Sequence, residues 1–210
     1  MMAQATLDFY YEFASPYSYL AAVRIGPLAE EAGVHVRWKP FLLGPIFAAQ
    51  GYTTSPFNAF PLKGEHMWRD LERLVVRYGL PPIRKPEPFP VNALLAARVA
   101  TWLNDASRPA FTVAAFKAEF AEGRDITDRT VIHQLLAGLG HFCEDLCAEA
   151  ESQTVKDRLR AATQEASAAG IFGAPSFITA DKELFWGNDR LEHALEHAAS
   201  LAHGRPAPVK

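Results

Sequence analysis

Strand-like and helix-like runs alternate at the N-terminal end of the chain. Residues 6–13 form a largely apolar run typical of a buried strand, and Pro16 to about Ala32 repeats apolar positions at near-helical spacing. Gly33 follows as a helix stop, and residues 34–38 alternate apolar and polar side chains as a second strand does. This order predicts a β-α-β unit with a right-handed crossover.

The strand pattern returns near the C-terminal end. Residues 176–179 and 183–186 are short runs with the composition of strands, separated by a turn at Asp181-Lys182. A final helix is expected from Asn188 to about Ala202. The chain is therefore expected to finish as a β-β-α unit.

The middle of the chain is mainly helical. Residues 44–61 are rich in glycine, proline, serine and aromatic side chains, and predict a long functional loop. Helices are predicted at 65–78, 91–104, 112–122, 128–139 and 144–169, with caps at Thr112, Asp128 and Gly170. The whole pattern predicts an α/β protein of thioredoxin-like fold with a large inserted all-helical domain. The thioredoxin-like domain would comprise residues 1–43 and 171–210, and the loop and inserted helices residues 44–170.

Composition narrows the class of partner. With 210 residues, 49% of them hydrophobic, the chain can bury a sizeable core, and its formal net charge of −3 offers no global field for nucleic acid. No apolar run approaches the roughly 20 residues that cross a bilayer, and the first residues lack the features of a signal peptide. We therefore expect a cytoplasmic protein that binds neither nucleic acid nor membrane.

The cysteines and histidines do not indicate a redox or metal site. Cys143 and Cys147 have C-x3-C spacing, outside the C-x2-C spacing of redox and zinc motifs, and are expected to be inert helix residues. The segment from His193 to His197 matches the H-x-x-E-H pattern of some zinc proteases, but nothing in the sequence suggests a third ligand. No metal is predicted.

The most informative junction is Ser15-Pro16-Tyr17-Ser18, where the first strand runs into the first helix. The first N–H groups of a helix lack intrahelical partners and favour an anion, so this corner suits chemistry on a negative group. Serine before proline is also among the commonest helix caps, and that structural interpretation stays open at this point.

Four segments together resemble one enzyme group. They are the Ser-Pro-Tyr-Ser corner, Pro61 to Gly64, the turn Gly173 to Pro175, and the segment Phe185 to Leu191. Jointly, and over nearly the whole chain, they resemble the 2-hydroxychromene-2-carboxylate isomerases and the related kappa-class glutathione transferases, themselves relatives of the DsbA-like disulfide oxidoreductases. The resemblance implies a glutathione-dependent isomerase of naphthalene catabolism that forms a homodimer.

The resemblance also assigns roles at the corner. Disulfide oxidoreductases carry Cys-x-x-Cys there, whereas this chain has Ser15 and Ser18. It implies that glutathione brings the thiol, with Ser15 as the catalytic hydroxyl beside its sulfur and Ser18 as the second choice. Ala174 and Pro175 would present backbone groups to glutathione through a cis bond, as other thioredoxin-like proteins do.

The remaining ligand contacts are likewise implied by the resemblance. Asn188 and Asp189 would hold the γ-glutamyl end of glutathione, although locally they have the character of caps of the last helix. Lys63 would meet the glycine carboxylate of glutathione. Candidate contacts to a small aromatic carboxylate substrate are Phe47 and Tyr52 in the long loop, and Lys39 or Arg84 for its carboxylate.

Three function classes remain open. The isomerase would convert 2-hydroxychromene-2-carboxylate into trans-o-hydroxybenzylidenepyruvate by reversible thiolate addition and leave glutathione unchanged. A kappa-like transferase or peroxidase would consume glutathione, and a non-catalytic glutathione-binding protein would turn nothing over. The segment from Trp186 to Arg190 looks closer to the isomerases, so the isomerase is the preferred hypothesis.

Overall fold

Four strands form one mixed sheet. In the computed structural model, which describes residues 4–141 and 146–202, the strands are β1 (Ala5–Tyr11), β2 (Val34–Pro40), β3 (Ser176–Thr179) and β4 (Leu184–Trp186). Their spatial order is β2-β1-β3-β4. β1 runs parallel to β2 and antiparallel to β3, and β3 pairs antiparallel with β4. The predicted β-α-β start and β-β-α finish are confirmed.

Helices pack against the sheet and fill the chain between β2 and β3. α1 (Pro16–Glu31) connects β1 to β2. The helices that follow β2 are α2 (Leu43–Ala49), α3 (Pro56–Ala59), α4 (Pro61–Arg77), α5 (Leu94–Trp102), α6 (Arg108–Lys117), α7 (Arg129–Gly138), α8 (Leu146–Ala150) and α9 (Gln153–Ala168), and α10 (Leu191–Ala202) follows β4. A π-helical turn, Ala118–Glu122, directly continues α6. Across the described ranges, every helix is too short or too polar to cross a membrane.

The core is built around the aromatic side chains of β1. Phe9 is fully buried, stacks on Phe177 of β3 with ring centroids 5.4 Å apart, and meets Trp38 of β2 edge-on at 5.0 Å. The buried Tyr11 hydroxyl shares a 2.8 Å hydrogen bond with Thr112 Oγ1 of α6. One aromatic strand therefore joins the sheet to the inserted helices, and this packing fixes the end of β1 where the first helix begins.

Two sequence predictions about the middle of the chain are wrong. Residues 44–61 are not one long loop, because they contribute to α2 and α3. Pro56 and Pro61 occupy the first positions of α3 and α4, where a missing N–H costs nothing and the fixed φ suits a helix. Thr112 is not a cap either, since it lies within α6 and bonds to Tyr11.

The other helix ends follow the predicted cap chemistry more closely. Asp128 is the N-cap of α7, its Oδ1 accepting the Thr130 N–H at 2.7 Å, and Gly170 follows α9 with a φ of +80°. The single helix predicted over 144–169 is divided by Ser152, which caps α9. Cys143 and the side chain of Cys147 lie outside the described part of the protein.

Candidate active site

The Ser15 side chain holds the corner between β1 and α1. Ser15 is the N-cap of α1: its Oγ accepts the Ser18 N–H at 3.2 Å and donates to the Ala174 carbonyl at 3.0 Å. Pro16 takes the first helical position. The capping interpretation and the candidate chemistry therefore concern one hydroxyl, which lies at the positive end of the α1 dipole.

Ser18 differs from Ser15 in its access to ligands. It is fully buried, and its Oγ finds no hydrogen-bond partner within the described residues. Ser15 lines the large cavity at this corner, whereas Ser18 is absent from its lining. The geometry thus favours Ser15 over Ser18 for any direct contact with a ligand.

The wall opposite Ser15 is the segment that leads into β3. Its Ala174–Pro175 peptide bond is cis. The Ser176 hydroxyl donates to the Gly173 carbonyl at 2.8 Å, and the Gly187 N–H donates to the Pro175 carbonyl at 3.0 Å. A Cβ on Gly173 would collide with the indole ring of Trp186, so this close approach favours glycine. The segment is held from both sides, with the Ala174 carbonyl directed at Ser15.

A cavity of about 1910 Å³ opens between these walls. Typical small-molecule sites measure roughly 300–1,000 Å³, so this one has room for a tripeptide together with a second small molecule. Its inner wall is formed by the corner and by residues 173–175. Its sides are formed by residues 186–190 and α4, and its outer wall by α2 and α3. Of the predicted site residues it brings together Ser15, Phe47, Tyr52, Lys63, Ala174, Pro175, Asn188 and Asp189.

The Asn188 side chain links the segment after β4 to neighbouring helices. It begins a 3₁₀ turn, Asn188–Arg190, and is only 2% exposed. Its Oδ1 accepts from Nη1 of Arg24 at 2.9 Å, its Nδ2 donates to the Tyr78 hydroxyl at 3.3 Å, and the Arg24 guanidinium lies 3.8 Å from the Tyr78 ring centre. The side chain therefore fixes the turn to α1 and to the end of α4.

Asp189 has the opposite character. Its carboxylate is exposed, 2.9 Å from Nη1 of Arg190, and it faces the cavity. The turn is entered through Gly187 at a φ of +110°, where a Cβ would lie 2.5 Å from Asp189 Oδ1. The turn carries no side-chain capping bond, and α10 begins only at Leu191, so the prediction that Asn188 and Asp189 cap the last helix is wrong.

Lys63 and the two predicted aromatic residues lie on the outer side. Lys63 sits in the first turn of α4, with Nζ 4.7 Å from the Phe60 ring centre. Phe47, in α2, and Tyr52, just beyond it, are half-buried and meet edge-to-face with centroids 6.2 Å apart. A cation and an apolar surface thus face the same space as Ser15.

The two basic residues considered for the substrate carboxylate are elsewhere. Lys39 pairs with Glu165 of α9 at 3.5 Å and lines a separate cavity of about 390 Å³. Strand alternation along β2 turns its side chain away from the corner. Arg84 donates from Nε to the Ala121 carbonyl at 3.1 Å and is not part of the large cavity's lining. The structure therefore places both side chains away from the large cavity.

Two contacts in the cavity were not indicated by the sequence, although Tyr17 and Trp186 lie in segments that it singled out. The Tyr17 hydroxyl donates to Asp70 at 2.9 Å, and its pKa is raised by burial and by the charges of Asp70 and Asp189. Phe172 and Trp186 meet edge-to-face at 4.9 Å and are 44% and 52% exposed at the cavity mouth. Neither partner is a close neighbour in the sequence, Tyr17 and Asp70 being 53 residues apart, so a local pattern does not reveal these pairs.

The H-x-x-E-H segment has a structural place in α10. Nε2 of His197 lies 2.9 Å from Asp181 Oδ2, and this contact helps to lower the pKa of the Asp181 carboxyl, after the larger effect of its hydrogen bond to Thr179. Within residues 4–141 and 146–202, no three His, Cys, Asp or Glu side chains are grouped to hold a metal ion.

The comparison with known proteins points to one group. A family model described as a DSBA-like thioredoxin domain matches residues 6–199. A 2-hydroxychromene-2-carboxylate isomerase from Sphingobium xenophagum is 32% identical, covering 89% of this chain and 94% of that protein. Glutathione S-transferase kappa 1 from Homo sapiens is 26% identical, covering 89% and 88%. A solved 2-hydroxychromene-2-carboxylate isomerase structure superposes with a TM-score of 0.84 at 26% identity, covering 95% of this chain and 98% of that one.

Proposed function

This chain belongs to the 2-hydroxychromene-2-carboxylate isomerase family of DsbA-like thioredoxin-fold proteins, and from that premise we propose that it is a glutathione-dependent isomerase. Its proposed reaction interconverts 2-hydroxychromene-2-carboxylate and trans-o-hydroxybenzylidenepyruvate. The observation that carries the proposal is the placement of the Ser15 hydroxyl at the α1 N-terminus, opposite the Ala174 carbonyl, inside a cavity large enough for two ligands.

The donor set of the cavity fits glutathione. The tripeptide carries two carboxylates, one ammonium and one thiol, and the lining offers the Lys63 ammonium, the Asp189 carboxylate and the Ser15 hydroxyl as complements. The backbone of Ala174 adds groups that can pair with an extended peptide. We assign Lys63 to the glycine carboxylate, Asp189 to the γ-glutamyl ammonium, and Ser15 to the sulfur.

The chemistry needs a nucleophile that adds and leaves again. The hemiketal ring of the substrate must first open, which gives a conjugated enone. Glutathione, when bound, would supply a thiolate for reversible addition to this enone, which makes the carbon–carbon double bond single so that rotation becomes possible. In the complex the Ser15 hydroxyl would donate its hydrogen bond to the sulfur anion instead of the Ala174 carbonyl. The positive end of the α1 dipole would also stabilise this anion. Neither serine of the corner can itself form a disulfide, so the protein acts through the borrowed thiol.

The outer wall is proposed to hold the aromatic substrate. Phe47 and Tyr52 offer an apolar surface and a phenol, while the Phe172–Trp186 pair shields the mouth from water. Since Lys39 and Arg84 lie outside this cavity, Arg190 and His66 are the basic side chains of the lining, beside Lys63, that can meet the substrate carboxylate.

One assay tests the proposal directly. The protein is incubated with 2-hydroxychromene-2-carboxylate, with and without glutathione, and absorbance and free thiol are followed together. We expect turnover only with glutathione and constant thiol. Steady loss of thiol would instead identify a kappa-like transferase, and glutathione binding without turnover would identify a non-catalytic binding protein.

The setting of the enzyme forms part of the proposal. By family resemblance we expect a cytoplasmic homodimer that serves naphthalene catabolism. Light scattering coupled to size-exclusion chromatography tests the dimer, and growth of a deletion strain on naphthalene tests the metabolic role.

A further inference from the structure

Two carboxyl side chains lie behind the corner without a cationic partner. Glu119, in the π-helical turn Ala118–Glu122, is 2% exposed, and both of its carboxyl oxygens lack a hydrogen-bond partner within the described part of the chain. Glu12 lies three residues before Ser15 and lines the cavity, and its backbone carbonyl accepts the Ser15 N–H at 3.0 Å. Burying a carboxyl without a hydrogen-bond partner costs folding free energy. π-Helical turns also occur frequently at functional sites.

Burial acts on both carboxyls, and the charge of Glu12 acts on Glu119. Burial raises the pKa of Glu12 to about 7, against the opposing effect of the Ala14 N–H that its carboxylate accepts. Burial also raises the pKa of Glu119 well above its ordinary value, and the charges of Glu12 and then Asp125 raise it further. Both effects favour the protonated form of Glu119, and the charge that Glu12 carries once it is ionised favours that form further.

The surroundings do not neutralise this pair. Across the described residues no ion pair involves Glu12 or Glu119, and the nearby cations have other partners: Arg84 donates to the Ala121 carbonyl, and Arg124 pairs with Glu122 at 3.3 Å. The titratable and charged groups that face the cavity from its other walls are Tyr17, Tyr52, Lys63, His66, Asp70, Asp189 and Arg190.

We propose that Glu12 is the proton acceptor and donor of the active site, and that Glu119 is a positioning residue that serves as its neutral buried partner. In the forward direction the S–H bond of the glutathione thiol beside Ser15 breaks, and the sulfur keeps the electron pair. An O–H bond forms on the Glu12 carboxylate. The corner then carries one negative charge before and after the transfer, on Glu12 first and on sulfur afterwards. When the thiol leaves, Glu12 returns the same proton.

The neutral form of Glu119 is what makes this exchange possible. An ionised Glu119 would raise the pKa of Glu12 and keep Glu12 protonated. Glu12 could then not accept the proton of the thiol. Burial favours the neutral form of Glu119, which adds no charge, so that the Glu12 carboxyl can change its protonation state near neutral pH. This inference deepens the proposed function, since it names the group that handles the proton of the borrowed thiol.

The protonation states are tested first without any activity. Protein labelled with ¹³C at the glutamate carboxyls is titrated by NMR, with Glu12→Gln and Glu119→Gln as assignment variants and Glu122→Gln, an exposed change in the same π-helical turn, as the matched control. We expect one carboxyl to titrate near pH 7, to disappear in Glu12→Gln, and to persist in Glu119→Gln and Glu122→Gln. A Glu12 carboxyl that titrates like an exposed glutamate would overturn the proposal.

The proposed transfer of the thiol proton to Glu12 is then tested by measuring proton release on glutathione binding. Calorimetry in buffers of different ionisation enthalpy counts the protons released when glutathione binds near pH 7.5. The wild type should release fewer protons than Glu12→Gln, with a difference approaching one, because Glu12 retains the thiol proton. Equal release by the two proteins would refute the transfer, even for a protein that shows no isomerase activity.

Kinetics provide the last test. If the proposed isomerase activity is present, Glu12→Gln should lower kcat by about a hundredfold, the usual scale of general acid–base catalysis, and remove the inflection near neutral pH. Glu119→Gln, which mimics the protonated partner, should keep both the inflection and most of kcat. An unchanged pH profile in Glu12→Gln would contradict the proposal, while absence of turnover in the wild type would refute only the proposed function.

Discussion

The inner wall of the cavity offers hydrogen bonds to a ligand, whereas the outer wall offers mainly apolar contacts. The inner wall is buried and hydrogen-bonded: Ser15 is only 9% exposed, caps α1, and reaches Ala174 across the gap. The outer wall is aromatic, with Phe47 and Tyr52 half-buried, and it opens at a mouth where Trp186 is 52% exposed. Fixed hydrogen bonds discriminate charge and position, whereas apolar contacts discriminate mainly shape. The inner wall therefore suits an invariant cofactor, and the outer wall suits a substrate that can change during evolution.

The strongest test of this contrast is Ser15→Ala. We expect kcat to fall by about a hundredfold or more, because a single hydrogen-bond donor to a developing anion contributes on that scale. Ultraviolet absorbance of the thiolate should show a raised pKa for bound glutathione. Loss of the cap also costs stability, about 1 kcal/mol, so thermal unfolding is measured in parallel.

Ser18→Ala is the matched control for the corner. Its hydroxyl is buried and has no partner in the described structure, so its removal should leave kcat within about twofold and should not lower the melting temperature. If both variants behaved alike, the special position of Ser15 on the inner wall would be refuted.

A smaller effect is expected at Lys63, where the inner and outer walls meet. Lys63→Ala should raise the KM for glutathione about tenfold at nearly constant kcat, since a charge-assisted contact to a carboxylate is lost at a distance from the sulfur. Steady-state kinetics at varied glutathione give the two constants separately. A fall in kcat at unchanged KM would place Lys63 at the reacting atoms instead.

Lys39→Ala removes the same charge from the neighbouring cavity. Because Lys39 faces Glu165 and not the corner, this variant should bind glutathione and the substrate like the wild type. An effect on either KM would restore Lys39 as a ligand contact and would contradict its assignment to the second cavity.

The outer wall should respond weakly and selectively. Phe47→Leu is expected to raise the KM for the aromatic substrate a few-fold and to leave the KM for glutathione unchanged, because one ring contact with Tyr52 is lost. Val76→Ala, an apolar change 80% exposed and outside the cavity lining, is the control. A larger effect on glutathione than on the substrate would reverse the proposed division of the cavity.

The sequence was sufficient for the order of strands and helices and for the position of Ser15 at a helix start, because both depend on local patterns. The apolar run of β1, the alternation of β2, and the serine and proline at the corner are read directly from neighbouring residues. Lys39 could not be placed in this way: its environment depends on Glu165 of α9, more than a hundred residues later. The prediction of a long loop at 44–61 was wrong because it depended on composition, whereas two of the prolines in this stretch begin helices.

Glu119 shows a further limit of local patterns. A glutamate in a helical stretch is typical of a solvated face, and no neighbouring residue indicates that this one is fully buried. Its burial follows from tertiary packing, with Phe120 beside it stacked on Tyr19 at 5.7 Å. Such a residue becomes visible only when the packing around the corner is known.

The smallest expected effect concerns stability and its dependence on pH. The pKa of Glu119 is higher in the folded than in the unfolded protein, chiefly because of burial, so the folded state binds more protons and stability falls as pH rises above about 4.5. Glutamine stays neutral at this site. Glu119→Gln should therefore exceed the wild type in melting temperature by several degrees at about pH 8 and by less at about pH 5. The exposed Glu122→Gln should show no such trend. If the Glu119→Gln difference were instead constant across this range, Glu119 would share the protonation state of the unfolded chain, and the corner would lack the buried neutral carboxyl that is proposed as the partner of Glu12.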